Sequence, residues 1–175
     1  GLFHVEPEFL PLWRRYARAL RQRNALLKSG APSRELDVWD LELAAAGEPL
    51  AIHRQAYLDG LEPTLADTAT RIAPSLGAAS LEYQPGWRRG EMPLADALLL
   101  ARDRDRVVGH TTAGPHRADW RVTFAAMPGG EALSRGQAKL AALSCLLAQA
   151  RDLADRMREW PVVALDDLAS ELDAG

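Results

Sequence analysis

The chain contains one cysteine, Cys145, which excludes a disulfide framework and any paired-cysteine metal site. Aromatic residues make up only 6% of it, and its four histidines are scattered without the spacing of metal ligands. It has no run of about twenty apolar residues that could span a bilayer and no secretory signal pattern, so the expected location is the cytoplasm. Lysine occurs only at positions 28 and 139. Neither lies in a Gly-x-x-x-x-Gly-Lys-Ser/Thr run, so the usual phosphate-cradling loop is missing. A net charge of −3 excludes a polybasic chain that coats nucleic acid indiscriminately. What remains is 175 residues, 47% hydrophobic and 26% charged, enough for one real core and a smaller second one.

The last third carries the most chemistry. Leu133-Ser134-Arg135-Gly136-Gln137 precedes a long apolar segment predicted as a helix from Gln137 to about Arg158. A Ser and a Gly at a helix start offer a hydroxyl, free backbone N–H groups and the positive end of a dipole, which suit a phosphate oxygen. By itself the pattern is also an ordinary N-cap. Val162-Val163-Ala164-Leu165 then reads as a buried strand ending in Asp166 and Asp167. A carboxylate in that place can hold Mg²⁺, and its neighbour can orient or deprotonate a water. An Asp pair after an apolar run is equally a plain strand end meeting a turn. A polar loop, Leu168-Ala169-Ser170-Glu171-Leu172-Asp173, follows.

The front of the chain reads as helices. One runs from Pro7 to Leu27 and stops at Ser29-Gly30, a second from about Glu35 to Ala46, and a third follows Gly47 to Ile72, with a kink or break at Pro63. Arg14, Arg18 and Arg21 share a face of the first, opposite Trp13, Tyr16, Leu20 and Leu27, and Arg15 and Lys28 add to its positive charge. After Gly77, Leu81 and Tyr83 alternate as in a strand, and Pro85-Gly86 marks a turn. Pro93 to Ala101 returns to helix, Arg102 to Arg106 reads as an exposed helix end or loop, and Trp120, Val122 and Phe124 form another strand before the Pro128-Gly129-Gly130 loop. The last helix is expected to bury Leu140, Leu143, Leu147, Ala150 and Ala154, with Cys145 among them. Gly114-Pro115-His116-Arg117 is a turn whose His116 and Arg117 can present positive donors to a phosphate.

These segments resemble, from end to end, the RecF family of recombination and gap-repair ATPases, related to SMC and Rad50 proteins. Leu133 to Lys139 is similar to its signature motif, Leu165-Asp166-Asp167 to its Walker B strand, Leu168 to Asp173 to its D-loop, and Gly114 to Asp119 to its Gly-Pro-His-Arg motif. Phe3-His4-Val5-Glu6-Pro7 leading into Tyr16 to Asn24 resembles its first arm helix. The resemblance implies an α/β fold: a partial cassette-type (P-loop NTPase-like) ATPase head over residues 78–175 with a mainly helical arm over 1–77. It implies ATP held between two protomers, contacted in trans by Ser134, Arg135, Gly136 and Gln137, with Mg²⁺ on Asp166, water positioned by Asp167, and Ser170 and Asp173 in the D-loop. It further implies a homodimer formed with ATP, binding to single-stranded and gapped or junction DNA in recombinational repair and the SOS response, and RecR and RecO as partners. Arg14, Arg18, Arg21, His116 and Arg117 are the candidate DNA contacts.

Two departures stand out. Asp167 occupies a place where most cassette ATPases carry Glu, although the RecF family is similar to this chain in using Asp-Asp, and its shorter side chain predicts slow turnover; Ala138 replaces a frequent second Gln. The chain opens on Gly1 and lacks the P-loop, so it is expected to be a fragment that binds ATP weakly, hydrolyses it negligibly and exposes apolar faces and sheet edges. The competing readings are a structural or interaction module, a stand-alone Mg²⁺-dependent phosphohydrolase using Asp166, Asp167, Glu171 and Asp173, and a transporter-type cassette. The last usually reads Leu-Ser-Gly-Gly-Gln, and Arg135 at the third place disfavours it.

Overall fold

The computed structural model describes residues 2–127 and 133–164. The elements are α1 (Leu2–Val5), α2 (Phe9–Ser29), α3 (Ser33–Ile72), β1 (Ala79–Gln84), α4 (Leu94–Leu100), α5 (Arg102–Val108), β2 (Asp119–Phe124) and α6 (Arg135–Met157). The fold is mixed and mostly helical, with one two-stranded sheet among the described residues. Ala125 N–H donates to the Ala78 carbonyl, and the Ser80 and Thr123 hydroxyls meet at 2.7 Å, so the strands run antiparallel. The chain forms two compact units, one of Leu2–Ala56 and Tyr83–Trp120, the other of Tyr57–Glu82 and the residues from Arg121 onward. Both of the expected spans, 1–77 and 78–175, contribute to each unit.

In the first unit α2 buries Phe9, Tyr16, Ala19 and Leu27, an i, i+3/i+4 stripe, and ends where Gly30 adopts φ 69° and donates back to Leu27. The stripe packs against Leu43, Ala46 and Leu50 of α3 and Leu94 and Leu98 of α4. One polar residue lies in it. Arg23 is wholly buried: its Nε donates to Asp40 Oδ1 (2.5 Å), and its other nitrogens to Asp105 Oδ2 (2.6 Å), Thr111 Oγ1 (2.9 Å) and the Leu98 carbonyl (3.3 Å). Arg102 binds the remaining oxygen of Asp40 and reaches Asp37 at the rim. Asp105 Oδ1 accepts from the backbone N–H and hydroxyl of Thr112, and Asn24 accepts both Thr111 donors. The 102–106 run is therefore not an exposed tip as expected. It forms helix α5, and one of its acids, Asp105, is 0% exposed because a buried guanidinium requires a carboxylate partner.

The expected break between a second and a third helix is also absent: α3 runs through Gly47, Pro49, Gly60 and Pro63 for 40 residues. Each proline removes one backbone donor, but Leu50, Ala51, Leu61 and Leu65 beside them are at most 4% exposed, and their burial holds the helix. Gly47 is there for space. A Cβ on it would lie 2.5 Å from Leu94 Cδ2 and 3.1 Å from Tyr16 Cε2.

In the second unit Leu61, Leu65, Ala69, Ala73 and Leu76 form a core with Ala79, Phe124, Ala141 and Ala148. The face of α6 that is buried carries Ala141, Ser144, Ala148, Ala150, Asp152 and Ala154; Leu140, Leu143, Leu147 and Cys145 are only partly covered. Large side chains come from α3 and small ones from α6, an alternation that fills the space without overlap and shifts the buried face from the leucines to the alanines. The first residues of the expected buried strand, Val162 to Ala164, have no regular structure, and Val162 is 99% exposed. A buried strand needs neighbours on its ladder, and among the described residues β1 and β2 pair only with each other.

Two substitutions test this account. Arg23→Met should lower unfolding free energy by about 3–5 kcal/mol in a urea titration, because buried Asp105 loses its cation and Asp40 keeps only Arg102. A loss below about 1 kcal/mol, the range of exposed pairs, would mean that water reaches Asp40 and Asp105. Gly47→Ala should destabilise by about 1–3 kcal/mol through overpacking despite the better helix propensity of Ala. An unchanged or higher midpoint would show that Leu94 can move aside.

Candidate nucleotide and nucleic-acid site

Ser134 stands just before α6 with extended backbone angles (φ −60°, ψ 162°). Its Oγ accepts from Gln137 N–H at 3.2 Å, and Gln137 Oε1 accepts from Ser134 N–H at 2.9 Å, a reciprocal capping box. The first turn of a helix has four N–H groups without intrahelical partners, and the box satisfies two of them, those of Ser134 and Gln137, leaving those of Arg135 and Gly136. Among the described residues the turn stays accessible: Ser134 and Arg135 are exposed, and a Cβ placed on Gly136 would meet none of their atoms within 4 Å. Gly136 is thus not required by packing against the described residues. Together these residues provide an open, electropositive helix end with a hydroxyl on its edge. Asp166, Asp167, Ser170 and Asp173, the expected metal, water and D-loop residues, lie outside the described residues. Among the described residues no group of three or more His, Cys, Asp or Glu could hold a metal ion.

The candidate DNA contacts separate into two sets. Arg14, Arg18 and Arg21 are exposed on one face of α2, while Arg15 is engaged with Glu42 through two bonds of 2.6 and 2.7 Å. The Gly114–Arg117 turn packs on the other side of that helix. Tyr16, 0% exposed and about 200° around the helix from Arg14, meets His116 there. Tyr16 Oη lies 2.7 Å from His116 Nδ1, and His116 Nε2 lies 2.9 Å from the Thr111 carbonyl oxygen. A carbonyl only accepts, so Nε2 carries the proton, Nδ1 is bare, and the Tyr16 hydroxyl donates to it. Burial pushes the Tyr16 phenol up, which keeps it a donor. Burial likewise holds the His116 ring below the ordinary imidazole range, the Thr111 hydrogen bond opposing it. Both ring nitrogens are therefore used inside the protein, whereas Arg117 is exposed.

Arg23, Tyr16 and Thr111 were not among the residues expected to matter. For Arg23 a signal existed: it follows Tyr16 and Ala19 and precedes Leu27 at helical spacing, so it lies on the apolar face of α2. Nothing local marks Thr111.

No protein-family model matches the chain. It is 67% identical over 173 residues to the DNA replication and repair protein RecF of Stenotrophomonas maltophilia (strain R551-3), a match covering 99% of this chain and 48% of the relative. RecF of Xanthomonas axonopodis pv. citri (strain 306) is 65% identical over 99% of this chain and 47% of its own length. RecF of Pseudomonas paraeruginosa (strain DSM 24068 / PA7) is 41% identical with the same coverage. Of solved structures, that of the recombination mediator protein RecF-ATPrS in the RecFOR pathway superposes with a TM-score of 0.84 at 25% identity, covering 97% of this chain and 48% of that one. The RecF-ATP structure of the same pathway gives 0.81. The chain spans about half the length of the curated relatives it matches. No helix among the described residues is long and apolar enough to cross a membrane.

The tautomer of His116 gives a pH test. The unfolded chain takes up a proton on this ring near pH 6.5, whereas the folded ring, its pKa lowered, resists protonation because Nδ1 accepts from Tyr16. The unfolded state therefore binds more protons in that window, so the contribution of His116 is complete above about pH 6.5 and is lost as pH falls toward the folded value. Urea midpoints at pH 7.5 and 5.5 should diverge more for wild type than for His116→Asn. Equal divergence would disconnect the ring from stability.

Proposed function

Because the chain belongs to the RecF family, we propose that it supplies the signature-bearing part of a DNA replication and repair ATPase that dimerises around ATP and binds DNA. One observation carries the reading: the capped N-terminus of α6, where no described residue covers Gly136 and Ser134 stands at the edge. An anion is stabilised there by unpaired N–H groups and the helix dipole.

Ser134 and Gly136, with Arg135 and Gln137 beside them, would receive the terminal phosphate of ATP bound by a second copy. Asp166 would hold Mg²⁺, and Asp167 would orient the attacking water, each serving the nucleotide of its own copy. Mg²⁺ when bound neutralises charge on the phosphate oxygens. Asp167, one methylene shorter than Glu, holds water more loosely, which favours slow turnover. Residues 1–77 would act as the arm and 78–175 as part of the head. The exposed Arg14, Arg18 and Arg21 would contact the phosphates of single-stranded and gapped or junction DNA, screened by salt as such contacts are. RecO and RecR would be the partners of the assembly, in the cytoplasm, during recombinational repair and the SOS response.

A second reading has its own support: the Ser134 hydroxyl is already used in the capping box, so the motif can be purely structural. Aspartate separates the two, because it caps as well as serine but places a negative charge against the incoming phosphate. In a RecF protein of full family length carrying this sequence, Ser134→Asp should keep thermal stability and lose ATP-dependent dimerisation, measured by light scattering. Ser134→Arg should lose dimerisation too, and Asp167→Asn should accumulate a dimer that hydrolyses slowly. If Ser134→Asp dimerises with ATP as wild type does, the structural reading takes over.

A further inference from the structure

The Gly114–Arg117 turn is fixed far more firmly than a connecting turn requires. Gly and Pro alone set such a turn. Here Gly114 has φ 125°, a region that side chains rarely adopt, and a Cβ on it would lie 2.7 Å from Tyr16 Oη. Its N–H donates to the Gly86 carbonyl at 3.0 Å, and a Cβ on Gly86 would strike the Gly114 carbonyl oxygen at 2.3 Å. The Pro115 carbonyl accepts from Arg54, whose guanidinium lies over the Trp13 ring at 5.4 Å. Pro115 also faces Gly47 of α3, where a Cβ would come within 3.3 Å of its Cγ. His116 is tied at both nitrogens, to the Tyr16 hydroxyl from α2 and to the Thr111 carbonyl. Backbone is thus clamped by backbone and by three helical or loop elements up to residue 116. The next side chain, Arg117, is exposed and has no ion-pair partner among the described residues.

A guanidinium on an immobile backbone loses less freedom when it engages an anion than one on a mobile loop, and its planar fork matches phosphate oxygens. The stripe on α2 cannot do the same work, since it lies on the opposite side of the helix from Tyr16. We propose that Tyr16 and His116 are positioning residues, and that the turn they immobilise presents Arg117 as a preset guanidinium for a phosphate oxygen. This rests on the DNA- and nucleotide-binding reading above. It removes His116 from the contact surface and gives Arg117 a phosphate other than those met by Arg14, Arg18 and Arg21. The phosphate belongs either to the DNA backbone or to a nucleotide, and the two are separable by experiment.

In a RecF protein of full family length carrying this sequence, affinity for a gapped duplex is measured across a salt series, and affinity for ATP is measured without DNA. Arg117→Gln should weaken one of these; on DNA the log–log salt slope should shrink by about one unit, as expected for a single lost phosphate contact. Tyr16→Phe keeps the ring but removes the donor. It should produce the same loss, and none beyond it when combined with Arg117→Gln. His116→Asn, whose amide oxygen can accept from Tyr16, should retain binding that His116→Ala loses. A loss on DNA alone names the backbone phosphate, and a loss on ATP alone names the nucleotide. Arg117→Gln without effect on either overturns the contact; Tyr16→Phe and Arg117→Gln losses that add overturn the positioning. If the Arg14, Arg18 and Arg21 to Gln triple variant also leaves DNA binding untouched, the DNA-contact assignment of both sets fails together, whereas loss in the triple variant alone confines the failure to Arg117.

Discussion

The first unit is organised around one buried cation. A guanidinium removed from water is tolerated only where its donors are matched, and Arg23 meets two carboxylates, a hydroxyl and a carbonyl. Those partners come from α3, α5, the loop after α5 and the end of α4. Satisfying one side chain on α2 therefore dictates where four other stretches must be. Arg102 completes the balance by taking the second oxygen of Asp40, and Asp105 goes on to anchor Thr112. Such a cluster is weak evidence for high stability, since apolar residues of equal volume can do as well. It is strong evidence for one arrangement, because any slip leaves a buried charge unmatched.

The Gly114–Arg117 turn depends on that arrangement. Thr111 donates its hydroxyl to Asn24, accepts from Arg23 and offers its carbonyl to His116, so the charge cluster and the histidine share a residue. From His116 the chain of hydrogen bonds ends at Tyr16, seven positions before Arg23 on the same helix. Both ends of the loop are thus referred to α2. The helix separates two tasks by face: its buried side sets the turn, and its exposed side carries the arginine stripe.

Much was legible in order along the chain. The Gly30 stop, the β1 and β2 alternation, the α4 helix and the α6 N-cap all follow from local rules of turns, periodicity and caps, and those segments lie close to where they were expected. Local rules failed where long-range burial opposed them. Gly47 and Pro63 look like breaks until Leu94 and Tyr16 fill the space over the glycine and the leucines around the proline are buried. The 102–106 charges look solvated because nothing nearby in sequence reveals that Arg23, 82 positions before Asp105, will need a partner.

The sequence by itself determined the motifs, their order and the family, because cap residues and glycine spacing are local and the likeness to RecF relatives runs over 99% of the chain. It also determined the signs of charge on each face of α2, which follow from a period of 3.6 residues. Only the tertiary structure decided which polar residues are interior, which nitrogen of His116 carries its proton, and which of the two basic sets shares a face with which. Those outcomes depend on groups brought together across tens of residues, where the energy of an unmatched buried charge or donor outweighs any local preference.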